Sequence, residues 1–284
     1  MQLKEIERSI IKKYRKTIFT PFIKAIKEFK LINDKDVIGV CISGGKDSFL
    51  LAKCMQELQR HGQVDFKLEF IVMNPGYNEE NLNQIKNNLE HLNINAHIFE
   101  TPIFKVADKT DNPCYMCAKM RRGYLYDYAK KLGCNKIALG HHFNDVVETV
   151  MLNMIFTGSY SSMLPKVKSK HFENMELIRP LYYIKEKDII NFCKYNELKF
   201  LDCACSVTKK NSGKRKIVKD LIEDMNKIYD KADVNILTST KNVNLNTIIS
   251  YQKGNEQFNI YDDFMWKYEI VKIVLAKQKI CVTI

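Results

Sequence analysis

Apolar residues recur at every fourth position from Ile6 through Ile10, Tyr14, Ile18 and Phe22 to Ile26, which predicts an amphipathic helix interrupted near Pro21. The period then changes. Val37 to Ile42 (VIGVCI) is a β-branched run expected to form a buried strand, followed by a Gly-rich turn and the helical stretch FLLAKCMQELQRHG. Leu68 to Asn74 (LEFIVMN) reads as a second strand closed by Pro75 and Gly76, NLNQIKNNLEHLN as a helix and AHIFE as a third strand. CAKMRRGYLYDYAKKLG predicts a helix ending at Gly133. KIALG (Lys136 to Gly140) predicts a fourth strand running into the helix DVVETVMLNMIF, KEKDIINFCKYNE a further helix and KFLD a fifth strand. Strands alternating with helices imply an α/β fold: a Rossmann-like, doubly wound, mostly parallel sheet that binds ligands beyond the carboxyl ends of its strands. The chain beyond residue 255 fits no element, and no internal repeat or long linker is present.

Composition narrows the class. With 284 residues, 45% of them hydrophobic and 11% aromatic, the chain is neither disordered nor collagen-like. No apolar run reaches the roughly 18 residues of a membrane span, and the N-terminus has no signal-peptide core, so a cytoplasmic protein is expected. Structural disulfides are rare there, which leaves the nine cysteines as buried thiols, metal ligands or reactive thiols. The net charge of +12 is concentrated in two places. Residues 1–30 hold nine Lys/Arg and three Glu, and residues 206–219 hold six Lys/Arg and no acid, +6 in each case. Two solvated helix faces would look like this. So would a two-part grip on a nucleic-acid backbone, with Lys12, Lys13 and Arg15 in the first part and Lys214, Arg215 and Lys216 in the second. The chain therefore divides into a basic helical segment (1–32), an α/β domain (33–205) and a basic, helical C-terminal extension (206–284).

The chemistry concentrates in short motifs. Strand VIGVCI runs into Ser43-Gly44-Gly45-Lys46-Asp47-Ser48, and a helix opens directly after it. Two glycines let backbone approach a phosphate, the helix start offers N–H donors, Ser43 and Ser48 add hydroxyls and Lys46 adds charge. Asp47 follows the lysine where a Walker A loop has Ser or Thr, and the GxxxxGK spacing fails. After KIALG come His141, His142, Phe143, Asn144 and Asp145, with Glu148 three residues further on the same helical face; such carboxylates can hold Mg²⁺ against phosphates. A structural hydrogen bond suits His141 and His142 as well as chemistry does. Cys114 and Cys117 form a CxxC followed by Arg121 and Arg122, while Cys203 and Cys205 form a CxC before the second basic segment. By residue type alone these are redox, zinc or iron–sulfur ligands. Cys41, Cys54, Cys134, Cys193 and Cys281 lie in apolar or helical runs and read as buried thiols.

SGGKDS resembles the PP-loop of the ATP pyrophosphatases, which adenylate a substrate and release pyrophosphate. The order PP-loop, CxxC with Arg-Arg-Gly, GHH, Ile178-Arg179-Pro180-Leu181 and a further cysteine resembles the tRNA 2-thiocytidine-forming thiolases over roughly residues 1–250. The resemblance implies ATP on Ser43–Ser48, with Met73, Gly140 and His141 around the nucleotide, and Mg²⁺ on Asp145. It implies a 4Fe–4S cluster on Cys114, Cys117 and Cys205, with Cys203 as the alternative third ligand. Lys46 and Asp47 are then catalytic at the phosphates, and Cys203 or Cys205 at the sulfur. Arg121 and Arg122 could hold an RNA phosphate or ATP, or form an ordinary salt-bridged face. The implied partners are tRNA, a cysteine desulfurase or other persulfide or sulfide source, and a second copy of the chain. Two other readings are a PP-loop tRNA ligase or amidating enzyme of the lysidine-synthetase type, and a non-catalytic RNA-binding module with a relict nucleotide site.

Overall fold

The computed structural model describes the backbone of residues 1–107, 113–201 and 213–260; the side chains of Lys105, Ala107, Pro113, Cys114, Tyr115 and Ala118 fall outside that description. The chain groups into two units, Met1–Ile236 and Leu237–Ile284.

The first unit opens with α1 (Leu3–Ile11), a π-helical turn (Arg15–Phe19) and α2 (Thr20–Glu28). The helix breaks at Lys12–Tyr14 and not at Pro21, which sits in the first turn of α2 where a missing N–H costs nothing. The wide turn, with Tyr14 N–H donating to the Ser9 carbonyl, keeps the apolar stripe in phase, so Ile6, Ile10, Ile18 and Phe22 are all fully buried. The α/β part follows: β1 (Val37–Ile42), α3 (Lys46–His61), β2 (Lys67–Asn74), α4 (Glu79–His91), β3 (Ala96–Glu100), α5 (Ile103–Ala107), α6 (Pro113–Lys131), β4 (Lys136–Ala138) and α7 (Phe143–Thr157). Then come β5 (Lys166–Lys168), β6 (Glu176–Ile178), α8 (Glu186–Tyr195), α9 (Gly213–Ile228) and α10 (Ala232–Ser239).

Six strands form one sheet in the order β3-β2-β1-β4-β6-β5, parallel throughout except for β5 against β6. The doubly wound expectation holds. Alternate residues of β1 and β2 serve two cores. Ile38, Val40, Ile42, Phe70 and Val72 face the cluster built with α1–α4 and α8, while Cys41 and Ile71 face Tyr126 and Ala129 of α6. Both faces are covered, which is why these strands read as continuous apolar runs. Gly39 makes the second packing possible: a Cβ there would lie 2.9 Å from Ile71 Cδ1 and 3.5 Å from Ala129 Cβ.

KFLD corrects an expectation. Lys199–Leu201 form no strand; instead Leu201 N–H donates to the Gly44 carbonyl at 3.1 Å and braces the Gly-rich turn. The last two sheet positions go to β5 and β6, whose three-residue length leaves too little periodicity to read. In the second unit, β7 (Ser250–Lys253) and β8 (Glu256–Asn259) make a hairpin turned at Gly254, with Tyr251 stacked on Phe258 at 5.0 Å. Among the described residues no helix is long and apolar enough to cross a membrane.

Candidate nucleotide and thiol site

The chain leaves β1 and winds one way through β2 and β3, then crosses back to β4 on the other side of β1. The carboxyl ends of β1 and β4 therefore flank a topological switch point, where such sheets bind ligands. Ser43–Ser48 and Gly140–Asp145 both fall there.

Gly44 turns the loop at φ +91, and a Cβ on it would meet Ile85 and Leu201 at 2.9 Å. Gly45 caps α3 and is open: a Cβ there would have no neighbour closer than 3.8 Å. The first N–H groups of α3 lack a carbonyl one turn back and point into this opening. Ser48 has a different part from a free phosphate donor. Its hydroxyl donates to the Gly45 carbonyl at 2.8 Å and accepts from Ser43 N–H at 3.2 Å, so it holds the loop's shape. Tyr77 Oη donates to the Ser43 carbonyl at 3.2 Å. Gly140 abuts the same loop, since a Cβ would come within 3.1 Å of Asp47 C and Ser48 N.

The charged groups form one network. Lys46 Nζ lies 3.3 Å from Asp47 Oδ2 and 3.1 Å from Glu186 Oε1, and Glu186 Oε2 accepts from Lys219 at 2.8 Å. Burial opposes ionisation of Glu186, yet the Lys219 and Lys46 bonds hold its pKa at about 2. Burial raises the pKa of Asp47, whose Oδ1 is buried without a hydrogen-bond partner. Asp145 Oδ2 accepts from His142 N–H at 2.9 Å and caps α7. Its Oδ1 and Glu148 Oε2 each lie 2.6 Å from the guanidinium of Arg215. Arg215, itself half-exposed, is thus ion-paired to the two acids read from the sequence as a Mg²⁺ face. Among the described residues no group of three or more His, Cys, Asp or Glu is arranged to hold a metal. His141 is held neutral, its pKa down to about 4, by burial and by the charges of Arg179 and Arg215 against the pull of Asp145. Asn144 Oδ1 accepts from Glu186 N–H at 2.9 Å and ties α8 to α7. Met73 is buried at the end of β2.

Of the cysteine pair on α6, Cys117 is a half-buried free thiol. The side chain of Cys114, and all of Cys203 and Cys205, lie outside the described residues. Cys41, Cys134 and Cys193 are buried, which pushes their pKa values to about 12, and burial lifts Cys54 still further. These four are buried thiols, as the apolar runs around them predicted, and Cys281 lies outside the described residues. Lys12, Lys13, Arg15, Lys214 and Lys216 are exposed, with Lys13 Nζ 3.3 Å above the Tyr195 ring and Lys214 Nζ 5.1 Å from that of Phe156. Arg121 is half-buried and Arg122 exposed. Glu186 and Lys219 were not foreseen. Glu186 lies about 140 residues from the loop it serves, and an acid opening a helix is an ordinary capping signal.

A strand, an SGGKDS loop and a helix start at the switch point of a doubly wound sheet define a PP-loop nucleotide domain, and residues 16–222 match the family model described as PP-loop domain. Three curated relatives carry the name tRNA-cytidine(32) 2-sulfurtransferase. The Alcanivorax borkumensis protein is 34% identical over 84% of this chain and 84% of its own length. The Citrifermentans bemidjiense protein is 34% identical over 78% and 88%, and the Ralstonia pickettii protein 38% over 78% and 70%. The chain belongs to this tRNA-cytidine(32) 2-sulfurtransferase family of PP-loop proteins. Among solved structures, the U34-tRNA thiolase NcsA from Methanococcus maripaludis with its [4Fe-4S] cluster has the same fold, with a TM-score of 0.63 at 22% identity over 82% of this chain and 80% of that one.

Proposed function

We propose that the protein is a cytoplasmic, ATP-dependent tRNA sulfurtransferase that adenylates the C2 carbonyl of an anticodon-loop cytidine and replaces its oxygen with sulfur, giving 2-thiocytidine. The observation that carries this reading is family membership over most of the chain, joined to a phosphate-type loop at the sheet's switch point.

A carbonyl oxygen leaves poorly, and transfer of AMP to it makes a leaving group. Ser43–Ser48 would take the phosphates on the α3 N–H groups, with Lys46 and Asp47 as the charged pair at the reacting end. Gly140 gives the loop its close neighbour, and His141, neutral, can donate or accept one hydrogen bond to the nucleotide without adding charge. Asp145 is the carboxylate assigned to Mg²⁺, which when bound neutralises charge on the departing pyrophosphate. The pair of Asp145 and Glu148 already accommodates one cation, so a metal ion and Arg215 compete for the same oxygens. Cys114, Cys117 and Cys205, or Cys203 in its place, would hold a 4Fe–4S cluster, which when bound would supply iron as a site for sulfur. Cys117 suits that role, because it is the one free thiol among the described cysteines that burial does not enclose. Lys12, Lys13, Arg15, Lys214 and Lys216 are exposed and would contact the tRNA backbone, with Arg121 and Arg122 nearer the base. A cysteine desulfurase or another persulfide or sulfide source would supply sulfur, and the working form would be a homodimer.

Mass spectrometry of tRNA nucleosides from a deletion strain should show loss of 2-thiocytidine, restored by the wild-type gene; an unchanged thionucleoside profile overturns the reading. Anaerobic purification should yield a brown protein. A Cys117→Ser variant should be colourless and inactive, whereas full activity in that variant would favour a ligase or amidating enzyme.

A further inference from the structure

Several buried or half-buried cations among the described residues are paired with acids. Lys53 meets Glu7 at 2.7 Å, Lys136 meets Asp36 at 2.6 Å, and Lys46 lies between Asp47 and Glu186. Even half-exposed Arg215 has two carboxylates. Arg179 departs from this pattern. It is the first residue beyond the carboxyl end of β6, and among the described residues no carboxylate lies within ion-pair distance of it. One terminal nitrogen donates to the Leu164 carbonyl, while Nε is buried without a hydrogen-bond partner. Burial lowers its pKa and the charge of Arg122 adds to that, against Tyr126, Tyr182 and Asp145; Asp145, the one carboxylate among these, is already bonded to Arg215. A half-buried guanidinium with an enclosed, unpaired Nε–H and no counter-ion is a place where an anion can complete the site.

Arg179 lies within electrostatic reach of His141 and Asp145 at the end of β4, so its unpaired Nε–H occurs on an element that borders the nucleotide loop. Guanidinium forks match phosphate oxygens in pairs.

We propose that Arg179 binds a phosphate group at the carboxyl edge of the sheet, on the β6 side of the Ser43–Ser48 loop. The inference rests on the sulfurtransferase reading only for the origin of that phosphate. It belongs either to the nucleotide, as the phosphate that stays with adenosine in AMP, or to the tRNA backbone beside the target base.

The test uses the full-length protein and direct binding, so it is independent of whether thiolation occurs. Arg179→Gln is titrated with AMP and Mg·ATP in one arm, and with tRNA across a range of salt in the other. A nucleotide phosphate predicts about tenfold or greater weakening for AMP and ATP, with tRNA affinity unchanged. A backbone phosphate predicts the reverse, with the slope of log affinity against log salt reduced by about 0.7 to 0.9. Arg179→Lys should recover part of whichever affinity is lost. Unchanged binding in both arms, with thermal unfolding like the wild type, overturns the proposal. Should Arg179→Gln not fold, the arginine Nε–H resonances of ¹⁵N-labelled wild type decide, with Arg179→Lys assigning the signal. A shift on adding AMP or an anticodon-stem RNA supports the site, and no shift with either overturns it.

Discussion

Gly140 illustrates how one missing side chain sets a site. Its Cα faces the start of α3 so closely that a methyl group would press on the backbone of Asp47 and Ser48 at 3.1 Å, and backbone at a helix start cannot yield as a side-chain tip can. Gly140→Ala should cost about 1–3 kcal/mol in chemical denaturation and weaken ATP binding as well; full ATP affinity in the variant would show that the contact does not shape the loop. His141 carries the pH dependence of the site. Its pKa falls from 6.5 to about 4 on folding, so between those values the unfolded chain binds a proton that the folded chain refuses. Its contribution to stability is therefore complete above pH 6.5 and is lost as the pH falls toward 4. A ring-proton NMR titration should find one histidine neutral at pH 5.5, and should lose that signal in His141→Gln.

At the scale of elements, α9 does more than carry basic charge. Arg215 and Lys219, one turn apart, reach acids on α7 and α8, so α9 is fastened to the nucleotide end of the domain by two sets of ion pairs. The seven-residue gap between Cys205 and Gly213 makes the same helix the first described element after the later cysteines. Arg215→Gln leaves Asp145 and Glu148 facing each other without a cation. It should destabilise the protein by about 1–2 kcal/mol, discounted for partial exposure. Hydrogen exchange should speed up in α9 and in the first turns of α7, and unchanged protection would mean that apolar packing by Val218 and Ile222 alone holds the helix.

For the molecule as a whole, the N-terminal helices serve two functions on opposite faces. Ile6, Ile10, Ile18 and Phe22 are in the main core, while Lys12, Lys13 and Arg15 stand in solvent. Ile10→Ala should lower global stability by about 2–4 kcal/mol without altering the salt dependence of tRNA binding in the folded protein. Charge reversal at Lys12, Lys13, Arg15, Lys214 and Lys216 should do the opposite: melting close to the wild type, and tRNA affinity that falls with a shallower salt slope. If both kinds of change moved the same observable, the two faces would not be separable.

The alternation of strands and helices, the buried strands and the SGGKDS turn were legible along the chain because each is a local pattern: a change of period, a run of β-branched residues, glycines where backbone must come close. The buried cysteines were legible for the same reason, since their apolar neighbours enclose them. What the pattern misassigned or missed is non-local. Leu201 braces Gly44 instead of joining the sheet, Glu186 holds Lys46, and Arg215 pairs with Asp145 and Glu148. A lysine or arginine in the sequence carries a charge but no direction. Only tertiary structure decides which acid it meets, because the pairing depends on where distant elements bring their ends together. Arg179 shows the converse: it is a letter in a motif until the fold encloses its Nε with no acid beside it.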